Sequence, residues 1–407
     1  MRKSRLIRPN YIDKFKCIAG ACEDSCCQGW SVPIDQKTWE KYQQIQPGPL
    51  RVLVDKYVVQ QSGADSAQFA SIQLLPSKSC PIHNADKLCQ IQVELGESHL
   101  SQTCSTFPRR TFTIDNRKET TLTLSCPEAA RIVLTSSNLS DEGDAEPLYL
   151  TWNDAPGKST SPLTYFWPIR EFAIQLIRNR DYELWQRLFL LGSFSRRLET
   201  VLAENGDYSR MEQGFTSAIA TGSLRSSIET LPANNPLQLH MVIELAKLRA
   251  VSGDLPLRLV EVLDDFLDGI GRDKPFEEQC SSYTLAYQDF YSPFFRLHPS
   301  VLENLIINML FRRAFPFGEG MFGGKQVAIE PARQYALLVT EFALMKGLLI
   351  GVAGSRKEAF SIDDVVKTVQ VVTKHFEHTP EFVPASLALL SSRNLDNAQG
   401  LTMLLRN

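Results

Sequence analysis

Eight of the nine cysteines lie within the first 126 residues, at Cys17, Cys22, Cys26, Cys27, Cys80, Cys89, Cys104 and Cys126, and only Cys280 lies beyond them. A thiolate is a soft anionic ligand, and several held together bind zinc or iron–sulfur clusters far better than thiols scattered through a core. The N-terminal third is therefore expected to fold around a metal or cluster. Buried structural cysteines usually occur singly, so eight in a third of the chain argue against simple packing. A disulfide framework is the weaker alternative. The basic residues 1–10 are not followed by the apolar stretch of a secretory signal, which points to the cytoplasm, where thiols stay reduced.

The spacing is C-x4-C-x3-C-C, then C-x8-C-x14-C, then a final cysteine after 21 further residues. Two stretches of chain must meet around one site or two, with four of the eight thiols expected to hold one cluster. Zinc sites usually show paired C-x2-C knuckles, and none is present, although His83 and His99 are near enough in sequence to serve as mixed ligands. That moves weight towards iron–sulfur, as do Cys80-Pro81 and Cys126-Pro127. Zinc stays the alternative. Cys26 and Cys27 are adjacent, so their side chains tend to diverge, and one is expected to ligate while the other packs. A C-x3-C-x2-C radical signature starting at Cys22 fails at Gly29.

With 407 residues the chain is long enough to need no cross-links for a large core. Its net charge of −3 offers no general attraction for nucleic acid or anionic membranes, so neither is an expected partner. Residues 111–115 and 120–124 alternate around Asn116-Arg117-Lys118 and predict a β-hairpin. A helix should begin at Pro127. Residues 136–162 are rich in Ser, Asp, Gly and Pro and read as a linker, with Leu148, Tyr149, Leu150 and Trp152 as a short strand or anchor inside it. From residue 163 onward, apolar residues recur at helical spacing over 163–180, 181–203, 209–221, 236–252, 254–271, 275–293, 298–314, 331–353, 361–376 and 383–395. The expected fold is mainly α: an irregular cysteine-rich metal domain with a hairpin over 1–135, then an all-α domain over 163–407 carrying cofactor and substrate. The apolar stretch 335–353 contains Glu341 and Lys346, so a core helix is expected rather than a membrane span.

Within the helical part, Asn304, Asn308 and Arg312 recur at intervals of four on an otherwise apolar helix and form one stripe. Such a stripe faces either solvent or a pocket. As a pocket it would bind a cofactor, with Glu303 on the adjacent face as an amine base. The aromatic run from Tyr165 to Phe172 surrounds Arg170 and Glu171 and is expected to be core. Gly318 to Lys325 reads as a flexible loop or lid rather than a dinucleotide fingerprint, because no strand precedes it. His375 and His378 close a helix, and Cys280 is expected in the core.

The stretch Cys17-Ile-Ala-Gly-Ala-Cys22-Glu-Asp-Ser-Cys26-Cys27-Gln-Gly-Trp30, with Cys80-Pro81, Cys89-Gln-Ile-Gln, Leu95-Gly96-Glu97, Cys104-Ser-Thr-Phe-Pro108-Arg109 and Ser125-Cys126-Pro127-Glu128-Ala129-Ala130-Arg131, resembles the flagellin lysine N-methylase (FliB) family. The cysteine-rich head is also similar, more distantly, to small zinc- or iron-chelating proteins with a C-x2-C-x2-CC pattern. In the helical half, Asn179-Arg180-Asp181-Tyr182 and Phe315-Pro316-Phe317 extend the first resemblance. It implies an S-adenosylmethionine-dependent enzyme with a [4Fe–4S] cluster that methylates lysine amines of flagellin. The alternatives are a non-enzymatic zinc- or iron-binding protein and a metal-stabilised interaction scaffold.

Overall fold

The computed structural model describes residues 2–5, 9–29, 32–63, 65–114, 117–137, 139, 149–152, 165–250, 255–318, 330–377 and 381–407. Most of the expected linker and the glycine loop after Gly318 lie outside them, as does His378. The chain is mainly helical, and among the described residues its short strands lie within the first 152 positions.

The axis is the helix Pro331–Arg356, in which every residue from Tyr335 to Ala353 is buried. It is long and apolar enough to cross a membrane, yet its apolar window is wholly covered by protein. It is the expected core helix. Around it pack Leu184–Ala203, Asn235–Ala250, Leu257–Ile270 and Phe276–Ala286. One crossing is so close that a Cβ on Gly269 would stand 1.8 Å from the carbonyl oxygen of Gly351. Only glycine permits that approach.

The predicted helices appear within a few residues of their expected limits. Ser361 caps Ile362–Val372 in a reciprocal box with Asp364. Two of the helices carry a wider turn, at Tyr287–Tyr291 and Thr373–Glu377, that periodicity does not signal. The hairpin pairs Arg109–Ile114 with Arg117–Leu122, so both strands begin earlier than expected and Arg117 and Lys118 belong to the second one. That register buries Ile114 and Leu122 together in the core. Unforeseen was a small sheet of Val32–Ile34, Ala70–Ile72 and Val58–Gln60, whose three-residue strands are too short to show alternation. Tyr149–Trp152 is a short strand, paired with Arg2–Arg5.

The apolar residues form two clusters. Val32, Ile34, Tyr42, Leu50, Val54, Val58, Ile72, Cys80, Ile82 and Ile91 make a small one. The hairpin and the Pro127–Thr135 helix, although early in the chain, send Ile114, Leu122, Leu124, Ala129, Ala130, Val133 and Leu134 into the large helical core.

Lys346 is the most unusual member of that core. Its ammonium donates to the carbonyl of Leu405 and lies 5.8 Å from the centre of the Tyr287 ring. Burial pushes its pKa down to about 7 from 10.5. Between those two values the unfolded chain holds a proton that the folded one does not, so stability rises with pH across the window and the cost is fully present below it. Lys346→Met is expected to raise stability at pH 7 by about 2 kcal/mol and to lose this dependence. Urea unfolding of both proteins between pH 6 and about pH 10, where the group titrates, measures it.

Candidate functional site

The two cysteine blocks meet through their backbones. The Cys80 amide donates to the carbonyl of Cys27 at 2.9 Å and that of Gly29 to Lys78 at 2.9 Å, while Gln28 bridges Ser79. Gly29 adopts a φ of +88°, as the turn after the double cysteine requires. A second bridge, His83 to Cys89, folds the later block on itself. As a result Cys26, Cys27, Cys80, Cys89 and Cys104 stand close enough that charge on one disfavours charge on the others. Cys22 and Cys126 form a neighbouring pair that also senses Cys26. Cys17 is exposed, and its sulfur accepts the Ala19 amide at 3.4 Å.

Burial pushes the thiols of Cys80 and Cys104 up to about 11 and about 12, and that of Cys126 to about 12. Cys26 goes the other way, to about 7, because the Cys27 thiol donates to it across 3.8 Å, helped by the ammonium of Lys374. All nine cysteines are free thiols. In kind, this donor set suits a soft metal or an iron–sulfur cluster: anions that burial disfavours become favourable once a cation is present. As placed, no three His, Cys, Asp or Glu side chains among the described residues form a coordination set. Tyr42, buried beside Cys104, Cys89 and Cys80, completes the surroundings, and its phenol is held protonated by burial.

The helical half grips this region. Asp24, between Cys22 and Cys26, accepts from Lys374 at 2.8 Å and from Gln370 at 2.7 Å, and Lys374 also reaches the Ser25 carbonyl at 2.9 Å. Both members of the Asp24–Lys374 pair are largely shielded from water. Glu23 pairs with Arg131, which also holds Glu128. Sequence reasoning missed these clamps because their partners lie up to 350 positions apart.

The polar stripe is buried, and Asn304, Asn308 and Arg312 all bond to the fold, although the Oδ1 of Asn308 has no hydrogen-bond partner among the described residues. Asn304 donates to the carbonyls of Val133 and Ser136, at 3.1 and 2.7 Å, closing the end of the Pro127–Thr135 helix. Asn308 donates to the Tyr11 hydroxyl at 3.0 Å and the Leu122 carbonyl at 3.1 Å. Arg312 joins Arg313 around Glu341, whose carboxyl they hold below its ordinary range against the opposing effect of burial. Glu303 places both carboxylate oxygens against guanidinium N–H groups, of Arg180 at 2.9 and 3.1 Å and Arg187 at 2.8 Å. Asn304 and Asn308 thus bind the N-terminal elements, whereas Glu303 and Arg312 pair within the helical half, and none of the four lines the cleft bordered by Arg197, Glu204, Arg210 and Leu224. In the aromatic run, Arg170 pairs with Glu119 of the hairpin rather than with Glu171. His375 is buried, and Cys280 is partly buried against the large core.

A thiol-rich head hydrogen-bonded to itself and clamped into a helical body defines a class in which head and body form one unit. Residues 170–404 match the FliB lysine N-methylase C-terminal domain, and the chain belongs to the FliB lysine N-methylase family. It is 24% identical over 400 residues to the lysine-N-methylases of Salmonella typhimurium (strain LT2) and Salmonella choleraesuis (strain SC-B67), covering 94% of each chain. Over 136 residues it is 32% identical to the flagellar biosynthetic protein FliU of Salmonella muenchen, covering 33% of this chain and 79% of that one. No solved structure matches it. The chain is accordingly a methyltransferase, and the family resemblance read from its cysteines is borne out.

Proposed function

We propose that this enzyme transfers methyl groups from S-adenosylmethionine to lysine side chains of flagellin, with a [4Fe–4S] cluster held by the converging cysteines. The observation that carries the reading is the span of the likeness to the lysine-N-methylases, 94% of both chains, which takes in the cysteine-rich region as well as the helical body. The flagellar name of the third relative supports flagellin as the substrate. The cofactor would supply an electrophilic methyl group. The protein must hold the amine neutral and in line with it and keep water away. The cluster reading draws on five neighbouring thiols: Cys80 in the small core, Cys27, Cys89 and Cys104 partly buried against it, and Cys26 exposed beside them. Their loop is tied to the helices by Asp24 and Lys374, so binding of a cluster there would fix the head on the body.

Incubating flagellin with the anaerobically purified protein and S-adenosylmethionine, then analysing tryptic peptides by mass spectrometry, tests the reaction. Lysine-containing peptides should gain one or more methyl increments. Unmodified flagellin with cluster-loaded protein would defeat the flagellin assignment.

A further inference from the structure

A cleft of about 700 Å³ opens between the end of the Leu184–Ala203 helix and the Tyr208–Ala220 helix, lined by none of the cysteines. Its rim carries two cations and two anions: Arg197, Glu204, Asp207 and Arg210. Its floor includes Met211 and Phe215, the latter edge-on to Phe194 with ring centres 5.6 Å apart. Asp207 caps the second helix, accepting the Arg210 amide at 2.9 Å with one oxygen. Among the described residues, the guanidiniums of Arg197 and Arg210 and the carboxylate of Glu204 have no protein partner. Other arginines of the surface, such as Arg131, Arg272 and Arg356, are held by carboxylates, so these two guanidiniums keep their donors for a ligand.

We propose that this cleft binds S-adenosylmethionine, an inference that rests on the methyl-donor reading above. The mixture of charge argues for a ligand that bears both signs, as S-adenosylmethionine does with its carboxylate, ammonium and sulfonium. A polyanion or an anionic membrane would call for cations alone, and a lysine side chain for anions alone. The ligand's carboxylate suits the fork of a guanidinium, which binds it through two parallel hydrogen bonds. Glu204 provides the carboxylate acceptor that a ribose diol requires, the role that acidic residues play at nucleotide ribose hydroxyls. Phe215 and the Met211 sulfur offer an apolar face for adenine. Asn304, Asn308 and Arg312 of the expected stripe do not line this cleft.

Isothermal titration of the full chain with S-adenosylhomocysteine, which lacks the transferable methyl and the sulfonium charge but keeps the carboxylate, ribose and adenine, tests the assignment without any turnover. Wild-type protein should bind, while Arg197→Ala, Arg210→Ala and Phe215→Ala should each weaken binding by about tenfold or more. Arg51→Ala, which lies in the cysteine-rich part, should leave it unchanged. Because all three cleft positions are at least partly exposed, circular dichroism should show folded variants. As a second readout, ultraviolet cross-linking of S-adenosylmethionine should label a peptide within residues 197–224. Wild-type binding that all three substitutions leave intact would overturn the cleft but spare the methyl-donor reading. Absence of binding by the wild type would overturn both.

Discussion

Arg170→Met alone is expected to destabilise the protein by about 3–5 kcal/mol, among the largest effects of any single substitution here. Arg170 is 1% exposed and Glu119, on the hairpin, 5%. One Nη of the guanidinium contacts both carboxylate oxygens at 3.0 Å, and Nε donates to the Phe315 carbonyl at 2.9 Å. The rings of Phe166 and Phe311 flank it at 4.9 and 5.0 Å. Removing the cation leaves a buried carboxylate with no counter-charge, and burial already raises the Glu119 carboxyl above its ordinary 4.5. A carboxyl with a raised folded pKa is most tolerable when protonated. Its stability contribution is therefore lost as pH rises, and the deficit of Arg170→Met should shrink as pH falls towards 4.5. The double replacement Glu119→Leu/Arg170→Met should recover most of the loss, since a buried pair exchanged for apolar groups of similar volume is often neutral. Denaturant unfolding of the two single variants and the double variant gives the coupling directly. Equal destabilisation by the double variant would show that the pair is not what the site depends on.

That pair also marks the limit of what the sequence discloses. The helix Pro299–Arg312 was legible, and so was its stripe, because spacing of four on an apolar background is a one-dimensional signal. The partners of the stripe were not. Asn308 meets Tyr11 across 297 positions, and Asn304 meets Val133 across 171. A polar residue on an apolar helix reads the same whether it faces a pocket, solvent or a buried carbonyl, and only the fold distinguishes them. The core helix was readable for the opposite reason: Glu341 and Lys346 within an apolar run demand internal partners, and Arg312, Arg313 and the Leu405 carbonyl provide them. The cleft rim lay unnoticed because charged residues at helix ends are ordinary in any sequence.

Cys104→Ser is expected to abolish cluster retention, whereas Cys17→Ser should leave it intact. Cys104 is partly buried among thiols from both blocks, beside Cys89, Cys80 and Cys26, and its amide is fixed by the Ser101 hydroxyl at 3.2 Å. Its position follows from Ser101 capping the short Gln102–Thr106 helix, so the sulfur is aimed by a rigid turn. Cys17 is exposed and engages its own neighbour's amide. Serine keeps the size of cysteine but supplies a hard oxygen that does not ionise near neutral pH, so substitution removes a ligand without removing volume. If the cluster also fixes the head to the body, loss of iron should come with loosening of residues 22–27 from Lys374. Hydrogen exchange should then rise there, while it stays slow in Pro331–Arg356. Iron and sulfide assays after anaerobic purification read the first effect, and exchange mass spectrometry the second. Full iron in Cys104→Ser would remove that thiol from the cluster. Stoichiometric zinc in a colourless wild-type protein would replace the iron–sulfur reading with a tetrahedral thiolate site. The 3.8 Å between the sulfurs of Cys26 and Cys27 matches the edge of such a tetrahedron, about 3.8 Å for zinc–sulfur bonds of about 2.3 Å. Whichever metal is found, the contrast between Cys104 and Cys17 tests the convergence itself, because it depends on which thiols the two blocks bring together.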